Sequence, residues 1–217
     1  GKRRTWPNMM TREGLRGQEF NAWSAEGGNP VDHLTTVAFT RMLAGPIDYT
    51  PGIFNLEMTG YQPNNRVKHT LAHELALYVV LYSPLQMVAD LPQHYADQPA
   101  FQFIRDVPVN WEETRVLNGE VSDYVTVARR ARGADHWFLG SITDETARAF
   151  EIPLDFLADG KTYRVTLYTD DEGIDWQTNP TRTTITQRLL TRDSTLTLRL
   201  ASGGGAAVSL MATEEVQ

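Results

Sequence analysis

Cysteine is absent from all 217 residues, which excludes a disulfide framework and a thiolate metal site. No apolar run approaches the roughly 18 residues that a membrane span needs. Basic charge is scarce as well. Lys and Arg number 20 against 27 Asp and Glu, leaving a net charge of -7 at pH 7 and a pI near 5.2. A nucleic-acid partner calls for a basic stripe, and this balance excludes one. No internal repeat is visible, and low complexity is confined to Gly203-Gly204-Gly205. The opening Gly1-Lys2-Arg3-Arg4 has no signal-peptide pattern and reads as mid-protein sequence, so it decides nothing about compartment.

What is present is enough chain for one large or two small domains. Residues 1–103 read as alternating short strands and helices. Thr5 to Met10 predicts a short strand, and Asp32 to Met42 is compatible with helix or strand. Leu43 to Tyr49 is apolar and punctuated, like a strand running into its loop. Tyr49 to Asn65 is rich in proline, glycine and asparagine and predicts a long loop, a type that is often functional.

The clearest helix follows. Val67, Leu71, Leu75, Tyr78, Val79 and Tyr82 recur at spacings that give one apolar stripe. Asn65 is a candidate cap and Ser83-Pro84 a stop. Burying such a stripe is worth on the order of 10 kcal/mol before entropy. A barrel wall is the expected partner. Leu85 to Tyr95 predicts a second, short helix. His69, His73 and Glu74 invite comparison with a zinc-protease motif, but His-Glu-x-x-His fails because Leu77 stands where the second histidine belongs. A packed or solvated histidine pair is the reading that remains.

Past Pro99 the pattern changes. Val107 to Glu113 reads as a linker or a leading strand. Short segments with period-two patterning and turn signals then recur: Val121 to Arg130, Trp137 to Ile142, Phe150 to Phe156, Tyr163 to Tyr168, Thr183 to Leu190, Ser194 to Leu200 and Ala207 to Ala212. This predicts an antiparallel β-sandwich over residues 104–217. Trp137 and Trp176 are either core residues or sugar-stacking platforms, and core is the commoner use.

The stretch with chemistry in it is Thr11 to Asn21, where Glu13 and Glu19 stand six residues apart around Gly14 and Gly17. On a helix they would face different ways, while the glycines break a continuous strand. A glycine-hinged loop brings them together. Paired carboxylates bind a hard cation, split their pKa values for acid–base work, or pair with arginines, and Arg12 and Arg16 keep the third option open.

Several runs together resemble glycoside hydrolase family 97. They are Trp6-Pro7-Asn8-Met9-Met10-Thr11-Arg12-Glu13-Gly14, Arg16 to Trp23 and Gly28-Asn29-Pro30, then Phe39 to Gly52, His73 to Tyr78, Leu91-Pro92 and Gly140 to Glu145. The resemblance implies an α-glucosidase or α-galactosidase of bacterial polysaccharide use, periplasmic or secreted in its full-length form. It also implies a fold: residues 1–103 as the C-terminal part of a (β/α)8 barrel, followed by the β-sandwich. Residue by residue, it makes Glu19 the general acid and Glu13 a calcium ligand, with Glu19 also touching the ion. Asp48, which would lie near the end of the last barrel strand, reads from its position as a turn-capping or substrate-contacting aspartate. The family's base or nucleophile lies upstream, so this chain alone is expected to be inactive and to depend on the missing N-terminal part. The alternative is a non-catalytic carbohydrate-binding or oligomerisation module.

Overall fold

The computed structural model describes residues 2–58, 62 and 64–213. The N-terminal half contains short helices joined by loops: α1 (Lys2–Thr5), α2 (Glu19–Trp23), α3 (His33–Phe39), a 3-10 turn at Arg41–Ala44, α4 (Leu71–Val80), α5 (Pro92–Tyr95) and α6 (Phe101–Asp106). The C-terminal half is all β: β1 (Trp111–Glu120), β2 (Tyr124–Ala131), β3 (Trp137–Thr143), β4 (Arg148–Pro153), β5 (Tyr163–Asp170), β6 (Thr183–Leu190), β7 (Thr195–Leu200) and β8 (Gly205–Ala212). Six strands form one antiparallel sheet in the order β1-β2-β3-β8-β5-β6, and β4 pairs with β7 in a second.

Alternation sorts the side chains between two layers. Trp137 and Leu139 of β3, Val165 and Leu167 of β5, and Val208 and Leu210 of β8 meet Leu196, Leu198 and Leu200 of β7, forming the core between the two sheets. Phe138 and Ile142 of β3, Val125 and Val127 of β2 and Ala207 of β8 face the other way, onto α4. Both faces of β3 are thus covered, and all seven of its residues are buried.

Helix α4 sits against the sheet because two strand positions lack side chains. A methyl group at Gly140 would lie 2.5 Å from the Ala76 carbonyl oxygen, and one at Gly205 would lie 2.5 Å from the His73 Cα. The helix ends are tied down too. Thr70 caps the N-terminus by accepting the His73 N–H at 3.2 Å, and the Thr70 and Leu71 N–H groups donate to the carbonyls of Gly203 and Pro180. At the other end, the Arg129 guanidinium of β2 donates to the Val79 carbonyl at 2.6 Å.

Several expectations need correction. Thr5 to Met10 is not a strand. Pro7-Asn8 turns the chain, with the Met9 N–H bonded to the Trp6 carbonyl, and only Arg12 finds a strand-like partner, in one isolated parallel bridge to Ile47. The segment Leu43 to Tyr49 likewise has only that bridge. The central helix spans Leu71–Val80, with Thr70 and not Asn65 as its cap, and His69 precedes it. All ten of its residues are buried, not one stripe, because the sheet covers one side and the segment from Ile47 to Met58 the other. Between Leu85 and Tyr95 only Pro92–Tyr95 is helical. The described residues form a β-domain with a helical and looped partner layer, which does not by itself show the expected barrel portion. No helix among the described residues is long and apolar enough to cross a membrane.

Because a methyl at Gly140 would meet the Ala76 carbonyl oxygen, Val79 Cβ and Val80 Cγ2 of α4, the first at 2.5 Å, Gly140→Ala must lift the helix from the sheet. The expected cost is about 1–3 kcal/mol, the usual range for overpacking, read as a lowered midpoint in chemical denaturation.

Candidate active site

Two short segments run along either side of residues 47–50. On one side the Asp48 N–H donates to the Arg12 carbonyl at 3.0 Å, next to the Arg12–Ile47 bridge. Arg41 reinforces this by donating from Nε to the Glu13 carbonyl at 2.7 Å and from Nη2 to the Arg12 carbonyl. Gly14, at φ +88°, makes room for that guanidinium, since a Cβ there would lie 3.1 Å from Arg41 Nε. On the other side the Gln18 N–H donates to Thr50 Oγ1 at 3.1 Å, and the Thr50 hydroxyl donates to Glu19 Oε2 at 3.3 Å. Asp48 and Thr50 are two residues apart, at most about 7 Å of chain. The backbones carrying Glu13 and Glu19 are therefore anchored to neighbouring points of one segment, with half-buried Asp48 on that segment. Arg12 and Arg16 form no ion pair with either glutamate among the described contacts; Arg16 instead lies over the Phe20 ring.

Glu13 and Glu19 are both exposed. Glu19 opens α2 and folds back over Gly17, where a Cβ would lie 2.5 Å from its Oε2. The loop behind it is knitted by amides. Gln18 Oε1 accepts from Asn21 Nδ2 at 2.7 Å, Asn21 Oδ1 accepts the Asn29 N–H at 2.7 Å, and Asn29 Nδ2 donates to the Gly17 carbonyl at 3.0 Å.

Below this surface lies a second, buried carboxylate that the sequence reading weighed only as part of a failed zinc motif. Glu74 is fully buried in α4. Its Oε2 accepts the Gly52 N–H at 2.7 Å and the Ile53 N–H at 3.2 Å, while its Oε1 is bonded to Gln18 Nε2 and His69 Nε2. His69 stacks on His73 with ring centroids 4.3 Å apart, and His73 Nδ1 lies 3.2 Å from the Gly203 carbonyl oxygen. Burial raises Glu74 to about 8 and lowers His69 to about 3. At neutral pH the pair therefore holds one proton and no net charge. Of the four partners of Glu74 only the imidazole can turn from donor to acceptor, so the proton lies between Glu74 and His69. A glutamate set among Leu71, Ala72, Leu75, Ala76 and Leu77 was the available signal, since charge in so apolar a segment requires dedicated partners.

Comparison with known proteins identifies the chain. A family model described as the glycosyl-hydrolase 97 C-terminal, oligomerisation domain matches residues 110–211. A glycoside hydrolase family 97 enzyme from Pseudoalteromonas sp. strain K8, solved in complex with panose, superposes with a TM-score of 0.94 at 51% identity, over 99% of this chain and 33% of its own. The chain belongs to glycoside hydrolase family 97. Among curated relatives, the retaining alpha-galactosidase of Bacteroides thetaiotaomicron is 35% identical over 97% of this chain and 32% of its own length. A probable retaining alpha-galactosidase of Streptomyces bingchenggensis is 36% identical over 71% of this chain and 22% of its own length. The chain thus spans about a third or less of the length of these three relatives.

The donors available for a cation are carboxylate oxygens, the type calcium takes. Among the described residues no group of three or more His, Cys, Asp or Glu side chains is placed to hold a metal. Glu13 and Glu19 would supply oxygen donors of that type but would not by themselves complete a calcium shell.

The pH dependence of stability can be read from the buried groups. A folded state that keeps a proton on Glu74 up to about pH 8 loses stability as pH rises from the ordinary carboxyl value of 4.5. His69 and His73 work in the opposite direction, but only below their ordinary value of 6.5, and Asp170, raised by burial to about 6, has titrated by then. Between pH 6.5 and 8 Glu74 is the one of these four still differing between states. Stability should fall by about 2 kcal/mol across that window. Denaturant midpoints against pH should show the fall, and Glu74→Gln should flatten it.

Proposed function

We propose that this chain is the part of a calcium-dependent α-glycosidase that supplies the general acid, Glu19, for hydrolysis of terminal α-linked sugars. The observation that supports this most is the placement of Glu19: an exposed carboxylate folded over Gly17, bonded to Thr50, on the segment that also anchors Glu13. Cleavage of a glycosidic bond needs a proton on the departing oxygen as the bond to the anomeric carbon breaks. Glu19 gives that proton. The leaving group departs as an alcohol, and a carboxylate from outside this chain either activates water or attacks the anomeric carbon. When bound, calcium supplies positive charge beside the sugar, and Glu13 and Glu19 are the residues here that would hold it. Asp48 contributes a hydrogen-bond acceptor for a sugar hydroxyl. Residues 1–103 are read as the end of the catalytic barrel. The parallel Arg12–Ile47 bridge supports this, being the pairing that adjacent barrel strands make.

A second reading concerns the β-domain and does not compete with the first. The family model over residues 110–211 is described as an oligomerisation domain. The sheet's outer strands expose Val116 on β1 and Ile185 and Leu189 on β6, which suits contact with another subunit. A sugar-binding role is less well supported, since Trp137 is buried against Phe156 and offers no platform.

In the full-length enzyme Glu19→Gln should slow α-glycosides with poor leaving groups by at least about 100-fold and spare activated aryl α-glycosides. Equal wild-type rates on both would sink the assignment. Gly17→Ala supplies a gentler check. Its methyl would collide with the Glu19 carboxylate, the mobile end of a side chain, so the acid should be displaced without strain in the backbone. Turnover should drop about 10-fold or more, while the melting temperature stays within a few degrees of wild type.

A further inference from the structure

The buried carboxylate beneath the acid has a role that packing alone does not explain. Three stretches of chain converge on Glu74: the residue before Glu19 through Gln18 Nε2, the loop after Thr50 through the Gly52 and Ile53 N–H groups, and the lead into α4 through His69. Gln18 and Thr50 are also bonded to each other at 3.1 Å, and Thr50 is the side chain that holds the Glu19 carboxylate. Both tethers of Glu19 therefore end on one side chain. That side chain has little freedom of its own. It belongs to a helix clamped on Gly140 and Gly205, capped by Thr70, and tied at its far end by Arg129.

We infer that Glu74 is the positioning residue of the acid, fixing Glu19 through Gln18 and Thr50 without touching substrate. This rests on Glu19 being the acid, and the geometry adds what holds it in register. Glu74 meets every structural requirement of such a support: it is buried, satisfied at both oxygens, and joined to rigid secondary structure. His69 completes it by occupying the remaining side of Oε1, and His73 stacks behind it. The same connection reaches the β-domain through the Gly203 carbonyl, which faces His73 and also accepts the Thr70 N–H.

The test compares two substrates, an α-glycoside with a poor leaving group and an activated aryl α-glycoside, in the full-length enzyme. Glu74→Met removes all four bonds at similar volume and should lower kcat on the poor leaving group by about 100-fold while changing the activated substrate only a few-fold. Glu74→Gln keeps the acceptor facing Gly52 and Ile53 but presents an amide to Gln18, so a selective loss of about 10-fold is expected. Thr50→Val cuts the other tether at a half-exposed site and should give a selective loss of similar size, even if Glu74→Met does not fold. A merely structural role would lower both rates together. Equal losses on the two substrates in folded variants, or no loss, would overturn the inference. Glu19→Gln is measured alongside. If it is selective and the Glu74 and Thr50 variants are not, the positioning role alone is wrong; if Glu19→Gln is itself unselective, the acid assignment falls and the inference with it.

Discussion

The contact on which the rest depends is the seating of α4 on the six-stranded sheet. Gly140 and Gly205 lie on adjacent strands of the same face, and their missing side chains let the helix backbone approach to a distance that no other residue permits. A helix so placed buries its whole circumference once the segment from Ile47 to Met58 closes over it. Cores are bistable or rigid and do not deform smoothly. A residue on α4 is therefore held as firmly as the sheet itself, and Glu74 is such a residue. The candidate site inherits its precision from the β-domain, although no strand of that domain contributes a side chain to it.

The sequence made much of this legible, and the failures have physical causes. The strands from Trp137 onward were readable because alternation survives where one face meets a partner sheet, as in Thr195–Leu200, where Leu196, Leu198 and Leu200 point inward. The central helix was legible by existence but not by extent. A stripe predicts burial on one side, and nothing local announces that a second layer will cover the other. The expected strand from Thr5 to Met10 failed because a strand needs a neighbour, and Arg12 has only Ile47 within reach. For Glu13 and Glu19, the glycines between them predicted a loop that pairs them but left three uses open, and only the family resemblance chose among those uses. Gln18, Thr50 and Glu74 were missed because their roles arise from contacts across 32 and 56 residues, which no period or motif encodes.

The arrangement also bears on how an acid can work beside a cation. A nearby positive charge favours the ionised carboxylate, the wrong state for donating a proton. Glu19 is exposed and, among the described residues, its carboxylate takes one side-chain hydrogen bond, from the Thr50 hydroxyl to Oε2. Donors gathered around a carboxylate would stabilise its anion further, and here they are gathered elsewhere. Gln18, Gly52, Ile53 and His69 all address Glu74. The structure thus separates two carboxyl groups by environment. Glu74 is buried and bonded at both oxygens, and Glu19 is exposed and sparsely bonded.

That separation explains why an ionisable group occupies the middle of an apolar helix at all. A buried polar cluster is a poor device for stability, since apolar residues of similar volume often serve as well or better. Leu71, Leu75 and Val79 show that α4 packs with such residues wherever packing is the only requirement. At position 74 the requirement is different. Three N–H donors and one imidazole, from three segments, must be brought to one point, and a carboxyl group can accept from the three and share its proton with the fourth on a short stem. The two N–H groups of Gly52 and Ile53 would otherwise be buried without partners at the turn that follows Thr50, so the same side chain that fixes the loop also makes its conformation possible. Once the loop is fixed, Thr50 has one place to be, and Glu19 is held from there.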